Sequence, residues 1–155
     1  MTDSPPSHQM LVCHACGAVN RTAFGRDLTH GTCGKCHQSL ATPSPVDIDA
    51  AMLSKLQRRD TGAFVLDVWA PWCGPCRMMA PAYQEAAATL ASRVRLFKLD
   101  SDKNQSASAA LGVRGIPTLV AYANGTKVAH QAGALAGDAL TRWILSTFNM
   151  TGDFA

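Results

Sequence analysis

Hydrophobic positions change their period several times along this 155-residue chain, and each change marks an element. Ile48, Ala51, Met52 and Leu56 recur at helical spacing and predict a helix over 47–58. Phe64 to Trp69 is apolar except at Asp67, the pattern of a strand covered on both faces. A helix follows from about Cys73 towards Ala91, with Pro81 as an internal kink. Residues 94–99 read as a second buried strand, and 100–111 contain a short helix. Residues 118–123 and 127–132 are strands joined by Asn124-Gly125, a strong hairpin signal. Leu140, Trp143, Ile144 and Phe148 share one face of a final helix over 137–148. Strands that alternate with helices and end in a hairpin and a helix predict an α/β fold, a mixed sheet with helices on both faces.

The first forty residues have another texture. Residues 1–10 are polar and proline-bearing, a flexible N-terminus by expectation. Residues 11–40 hold four cysteines and few large apolar side chains, and 41–46 read as a linker, or a linker running into a short first strand. With 47% hydrophobic and 16% charged residues, the remainder can bury a compact core. A net charge of +3 on scattered basic residues is too small to imply nucleic acid by itself. No apolar run approaches the roughly 20 residues that span a bilayer. An acid, Asp3, stands where an export signal needs a basic region. The expectation is a cytoplasmic protein that binds neither membrane nor nucleic acid.

All six cysteines fall in C-x-x-C pairs, which in a reducing compartment serve as metal ligands or redox groups. Cys13/Cys16 and Cys33/Cys36 are separated by sixteen residues, a zinc pattern in which two tight turns present four thiolates. A segment of about 30 residues so poor in apolar groups cannot hold itself together by burial. Bound zinc supplies on the order of 10 kcal/mol at neutral pH. Gly17 and Gly34 are expected to give the turns their backbone freedom. Four protein ligands leave no open position, so one structural zinc is expected. Iron in the same sulfur set and two disulfides after oxidation are the alternatives. His14, His30 and His37 lie nearby as bystanders, because four cysteines suffice. Arg21, Arg26 and Lys35 with Phe24 are weak support for a nucleic-acid contact by such a ribbon.

Cys73-Gly74-Pro75-Cys76 sits where a strand ends and a helix begins. The unpaired N–H groups and positive dipole end of a helix stabilise a thiolate there, lowering a thiol pKa from about 8.5 towards about 7. Such a sulfur is ionised and still nucleophilic near neutral pH. The two-residue spacer puts both sulfurs on one helical face, and Pro75 fixes the turn without wasting a donor. Cys73 is expected to be the exposed attacker and Cys76 the resolver. Strand alternation buries Asp67 with Val65 and Trp69. Burial raises a carboxyl pKa, and a carboxylate so tuned is suited to accept a proton near neutral pH.

The run Val65-Leu66-Asp67-Val68-Trp69-Ala70-Pro71-Trp72-Cys73-Gly74-Pro75-Cys76 resembles the active-site segment of thioredoxins. Gly112-Val113-Arg114-Gly115-Ile116-Pro117-Thr118-Leu119, then Asn124-Gly125, then Gly133-Ala134-Leu135 follow that family's pattern in order and spacing. The resemblance covers roughly residues 44–149. The added four-cysteine head makes the chain similar to the bacterial thioredoxin 2 type. The resemblance implies a thioredoxin-like three-layer α/β/α mixed sheet over 47–150, preceded by a zinc-ribbon-like module over 11–40 and a linker over 41–46, and followed by a tail over 151–155. It implies that Asp67 serves Cys76 and that Lys98, in the next strand, tunes that acid. It further implies that Ile116–Pro117 is cis and lies against the redox pair, with the Ile116 backbone open to an extended substrate segment. Trp72, Gly74, Pro75, Ile116, Gly133 and Ala134 would form a shallow apolar rim. The implied activity is reduction of disulfides in proteins. A flavin- and NADPH-dependent thioredoxin reductase is the implied electron donor, with neither flavin nor nicotinamide bound to this chain. The Gly74-Pro75 spacer resembles the reducing members, with potentials near about −270 mV rather than about −120 mV. A monomer is expected. The rival readings are a disulfide isomerase or oxidase, and a zinc-dependent chaperone or docking module whose redox pair is incidental.

Overall fold

The computed structural model describes residues 7–150. The expectations for most of the flexible N-terminus, residues 1–6, and for the tail, 151–155, lie outside the described residues. Residues 8–10, expected to be loose, instead belong to a strand. β1 (His8–Val12) pairs antiparallel with β2 (Val19–Ala23), with Leu11 opposite Asn20 and Val12 opposite Val19. The polar texture of 8–10 hid this strand because most of its surface is solvent-facing, while its apolar end, Leu11 and Val12, is buried. A short 3-10 turn, Leu28–His30, is capped by the Asp27 carboxylate, which accepts from the Thr29 N–H.

The main sheet has five strands in the order β3-β5-β4-β6-β7: β3 (Val46–Ile48), β4 (Phe64–Trp69), β5 (Arg95–Asp100), β6 (Thr118–Ala123) and β7 (Thr126–Ala132). The first three are parallel and the last two antiparallel to their neighbours. Asn124 and Gly125 both take positive φ, 55° and 72°, as a tight two-residue hairpin requires. Helices α1 (Ala50–Arg59) and α3 (Gln105–Ala110) cover one face, against Phe64, Leu66, Val68, Phe97, Leu99 and Val120. Helices α2 (Gly74–Leu90) and α4 (Asp138–Thr147) cover the other, against Val65, Leu96, Leu119 and Ala121. The three-layer mixed sheet follows from strands apolar on both faces.

The first helix begins later than its apolar spacing suggests. Ile48 belongs to β3, and the Asp49 carboxylate accepts from the Met52 N–H as the cap that fixes the start of α1. Ile48 still reaches the α1 core, so it shares the helix's apolar face while lying in a strand.

Hydrogen bonds join the four-cysteine head and the segment after it to the loops and helices that flank the main sheet. Met10 N–H donates to the Thr61 hydroxyl and the Thr61 N–H to the Met10 carbonyl. Val12 N–H donates to Asp60 Oδ2 at 2.8 Å, and Leu28 N–H to the Ser92 carbonyl at 2.9 Å. Gln84, on α2, reaches the carbonyl of Pro43 and the hydroxyl of Ser44.

Candidate functional site

β4, the central strand of the sheet, ends at Trp69, and α2 begins shortly after its C-terminal end. Cys73 is the N-cap of α2, with Gly74 and Pro75 as its first helical positions. The Cys76 N–H donates to Cys73 Sγ at 3.2 Å, so a free helix-end donor is aimed at this sulfur. The two sulfurs are joined as a disulfide. Cys73 is not the openly exposed group expected: its relative exposure is 4%, against 3% for Cys76. The reason is that its sulfur lies 3.7 Å from the Ile116 carbonyl oxygen and packs with Ala70, Trp69 and Ile116. The two cysteines still differ in access. Cys73 lines an open cleft of about 530 Å³ with Trp72, Gly74, Pro75, Arg114 and Ile116, whereas Cys76 does not line it.

Ile116–Pro117 is cis. Gly133 N–H donates to the Pro117 carbonyl at 2.9 Å, which ties the β7 end to this loop. Ala134, next in the chain, is exposed like Gly133. Trp72 is 69% exposed, and its indole N–H donates to Asp102 Oδ2 at 2.7 Å.

Asp67 is 2% exposed and lies in register with Lys98 across the parallel β4/β5 pair. Alternation puts it on the α2 side with Val65, beneath the helix whose first turn carries Cys76. Burial raises its carboxyl to about 7, with the Lys98 ammonium opposing that rise. Its Oδ1 has no hydrogen-bond partner among the described residues, an environment that favours the protonated form. The Lys98 ammonium sits 3.9 Å from the centroid of the Trp69 ring, a cation–π contact that holds it near the acid. Tyr83, on α2, donates to the Phe97 carbonyl at 2.7 Å and reaches the Val65 carbonyl at 3.2 Å, clamping this helix onto the same sheet face.

In the head, the sulfurs of Cys13, Cys16, Cys33 and Cys36 all lie within 4.8 Å of one another, with Cys13–Cys36 and Cys16–Cys33 each at 3.6 Å. Zinc–sulfur bonds of about 2.3 Å at tetrahedral angles put sulfurs about 3.8 Å apart, so this donor set fits a zinc ion. Both turns close identically: Gly17 N–H donates to the Cys13 carbonyl and His37 N–H to the Cys33 carbonyl. Each turn then needs a residue of positive φ, and these are Gly17 at 81° and His37 at 66°. Gly34 does not take that role, contrary to the sequence expectation, because the demand falls after the second cysteine rather than after the first. The Cys33 thiol is drawn down to about 5, first by the Cys36 N–H and then by the Asn20 amide. The Gln38 N–H favours a Cys36 thiolate, yet desolvation and the three neighbouring sulfurs push that thiol up to about 12. Four crowded sulfurs cannot all ionise without a cation among them.

Three further side chains support these sites and were not singled out in the sequence: Tyr83, Asp102 and Asn20. Each acts through a partner at least thirteen residues away, and hydropathy periods carry no such information.

The protein-family model for thioredoxin matches residues 47–146. Thioredoxin C-3 of Corynebacterium nephridii is 38% identical over 135 residues, covering 87% of this chain and 92% of that protein. An alignment of that length extends into the four-cysteine head. A thioredoxin of Haemophilus influenzae is 49% identical over 80 residues, 52% of this chain and 75% of that one. Among solved structures, a variant thioredoxin from Halobacterium salinarum superposes with a TM-score of 0.62 at 33% identity, covering 69% of this chain and 93% of that one.

Proposed function

The chain belongs to the thioredoxin family and is a thiol–disulfide oxidoreductase, and we propose that it reduces disulfides of cytoplasmic proteins through Cys73 and Cys76. The observation that carries this reading is Cys73, a residue that lines the open cleft and whose sulfur caps α2 by accepting the Cys76 N–H. In the dithiol form, the Cys73 thiolate attacks one sulfur of a substrate disulfide and the other leaves as a thiolate. Cys76 loses its proton to Asp67, whose carboxyl is tuned to about 7. The Cys76 thiolate then attacks Cys73, forms the Cys73–Cys76 disulfide and releases the reduced substrate with two electrons transferred. Lys98 tunes the acid. Trp72, Gly74, Pro75, Ile116, Pro117, Gly133 and Ala134 receive the substrate segment, whose backbone pairs with Ile116 as an added strand. A flavin- and NADPH-dependent thioredoxin reductase returns the electrons.

In this reading 47–150 is the redox domain, 41–46 the linker and 11–40 a metal module. Cys13, Cys16, Cys33 and Cys36 would hold one zinc, which supplies charge neutralisation and a cross-link between the two turns. No helix among the described residues is long and apolar enough to cross a membrane. A reducing compartment keeps four metal-binding thiols and a dithiol free of stray disulfides.

The test is reduction of insulin disulfides by the full chain with NADPH and a thioredoxin reductase. Cys73→Ser should abolish turnover, and Cys76→Ser should accumulate a mixed disulfide with substrate. Full turnover by Cys73→Ser would refute the assignment, and client binding that survives both replacements but is lost in Cys33→Ser would favour a docking module. The measured potential separates a reductase from an isomerase or oxidase.

A further inference from the structure

We propose that Asn20 is a positioning residue of the four-sulfur site, a carboxamide brace that joins the two cysteine turns and donates to the Cys33 sulfur. The inference rests on the metal-module reading above and goes beyond its four ligands. Asn20 lies in β2, half-buried, opposite Leu11. Its Nδ2 donates to the Ala18 carbonyl at 3.2 Å and to Cys33 Sγ at 3.5 Å, and its Oδ1 accepts from the Gly34 N–H at 2.9 Å. The Ala18 carbonyl also accepts from the Cys13 N–H at 2.8 Å, so one amide proton engages the closure of the first turn. The other proton and the oxygen engage the second turn. Sulfur–sulfur contacts aside, these two bonds to Cys33 and Gly34 are the hydrogen bonds that cross between the turns among the described residues.

The residue type suits this task. A carboxamide offers two donors and an acceptor in one plane, and here all three are used in different directions. A carboxylate would keep the bond from Gly34 but present a negative charge to a thiolate. A methyl group would leave the turns linked through their sulfurs alone. Partners of metal ligands orient them and hold their charge, and their loss typically costs about 10–100-fold in metal affinity. The brace works on the arms themselves, so it places Cys33 and Gly34 before a metal arrives. The Lys35 N–H, at 3.4 Å, also points at Cys33 Sγ but belongs to the same turn and cannot link the two.

The experiment measures zinc in the purified full chain and its transfer to a chromogenic chelator. The wild type should hold one zinc per chain. Asn20→Ala should release it about 10–100-fold faster, and Asn20→Asp, which keeps the acceptor for Gly34 and loses the donor to Cys33, should also release it faster. Should Asn20→Ala fail to fold, the nearly isosteric Asn20→Asp decides alone. Release within twofold of wild type by the folded variants overturns the brace while leaving the metal module standing. A wild-type chain that binds no zinc overturns the metal module itself, and the brace with it.

Discussion

Arg95 and Asp60 form a buried bidentate ion pair, Nη1 to Oδ2 and Nη2 to Oδ1, both at 2.7 Å. It lies on the seam between the four-cysteine head and the main sheet. The same carboxylate accepts from the Val12 N–H, one residue before Cys13, and from the Gly62 N–H. The Arg95 guanidinium also lies 5.8 Å from the ring centroids of Phe64 and Phe97. Removing one partner of such a pair costs about 3–5 kcal/mol because it strands a buried charge. The two partners are not equivalent here. Asp60→Ala strands Arg95 and two backbone N–H groups, whereas Arg95→Met leaves Asp60 with both N–H donors. Urea unfolding should therefore show about 3–5 kcal/mol lost in Asp60→Ala and clearly less in Arg95→Met. Losses below about 1 kcal/mol in both would mean that the seam contributes nothing to stability.

That pair shows where sequence reading stops. The β4 strand and the start of α2 are legible because burial on two faces and a cap-proline start leave local marks. The burial of Asp67 is legible too, as the one polar residue in an apolar run. Asp60 and Arg95 carry no such mark: one ends a helix, the other opens a strand, and 35 residues separate them. The strand β3 merges with α1 in the sequence pattern because Ile48 fits the helical period by coincidence. In the head, spacing alone locates the four sulfurs, but which residue bears the positive φ depends on how the turns close, and it is His37 rather than Gly34.

Asp67 should make stability depend on pH in a predictable direction. Its folded pKa, about 7, lies above the ordinary 3.8, so the folded state binds this proton more tightly than the unfolded chain does. Stability falls with pH wherever the native state holds more protons. The contribution is fully present below about 3.8 and is lost as pH climbs to about 7. Three decades of pKa correspond to on the order of 4 kcal/mol. Asp67→Asn should therefore be more stable than wild type at a pH of about 8.5 by up to this amount, with the advantage shrinking towards a pH of about 4. Activity should move the other way: without the proton acceptor, resolution of the mixed disulfide should slow by about 10-fold or more, and the inflection near pH 7 in the rate profile should disappear. Unfolding curves and rates measured from about pH 4 to about pH 9 check both. A pH-independent stability difference would contradict the buried-acid account.

Trp72 gives the cleft beside Cys73 a wall that is anchored from outside. Its indole is held by Asp102, thirty residues along the chain, and Asp102 is itself oriented by its own N–H, which donates to Asp100 Oδ1 at 2.9 Å. An exposed hydrogen bond of this kind is worth about 0.5–1 kcal/mol. Asp102→Ala should release the indole and raise KM for a protein disulfide about 2–5-fold, with kcat little changed. A small aliphatic disulfide, which needs no cleft wall, should be reduced as by wild type. Equal losses on both substrates would place Asp102 outside substrate recognition.

Gly17 and His37 occupy equivalent places in the two cysteine turns, and only one of them is a glycine. Positive φ is nearly free for glycine and costs a non-glycine residue on the order of 1 kcal/mol. At Gly17 an added Cβ would also come within 2.8 Å of Lys55 Nζ, a flexible side chain that can withdraw. Gly17→Ala should therefore destabilise the head by about 1 kcal/mol, chiefly through backbone strain. His37→Gly should do the reverse, removing strain at φ 66° and stabilising the folded turn by up to about 1 kcal/mol, less the entropy that glycine adds to the unfolded chain. Amide hydrogen exchange at positions 17 and 37, whose N–H groups close the two turns, reports each effect locally. Faster exchange at position 37 in His37→Gly, or unchanged exchange at position 17 in Gly17→Ala, would show that backbone strain does not govern these turns.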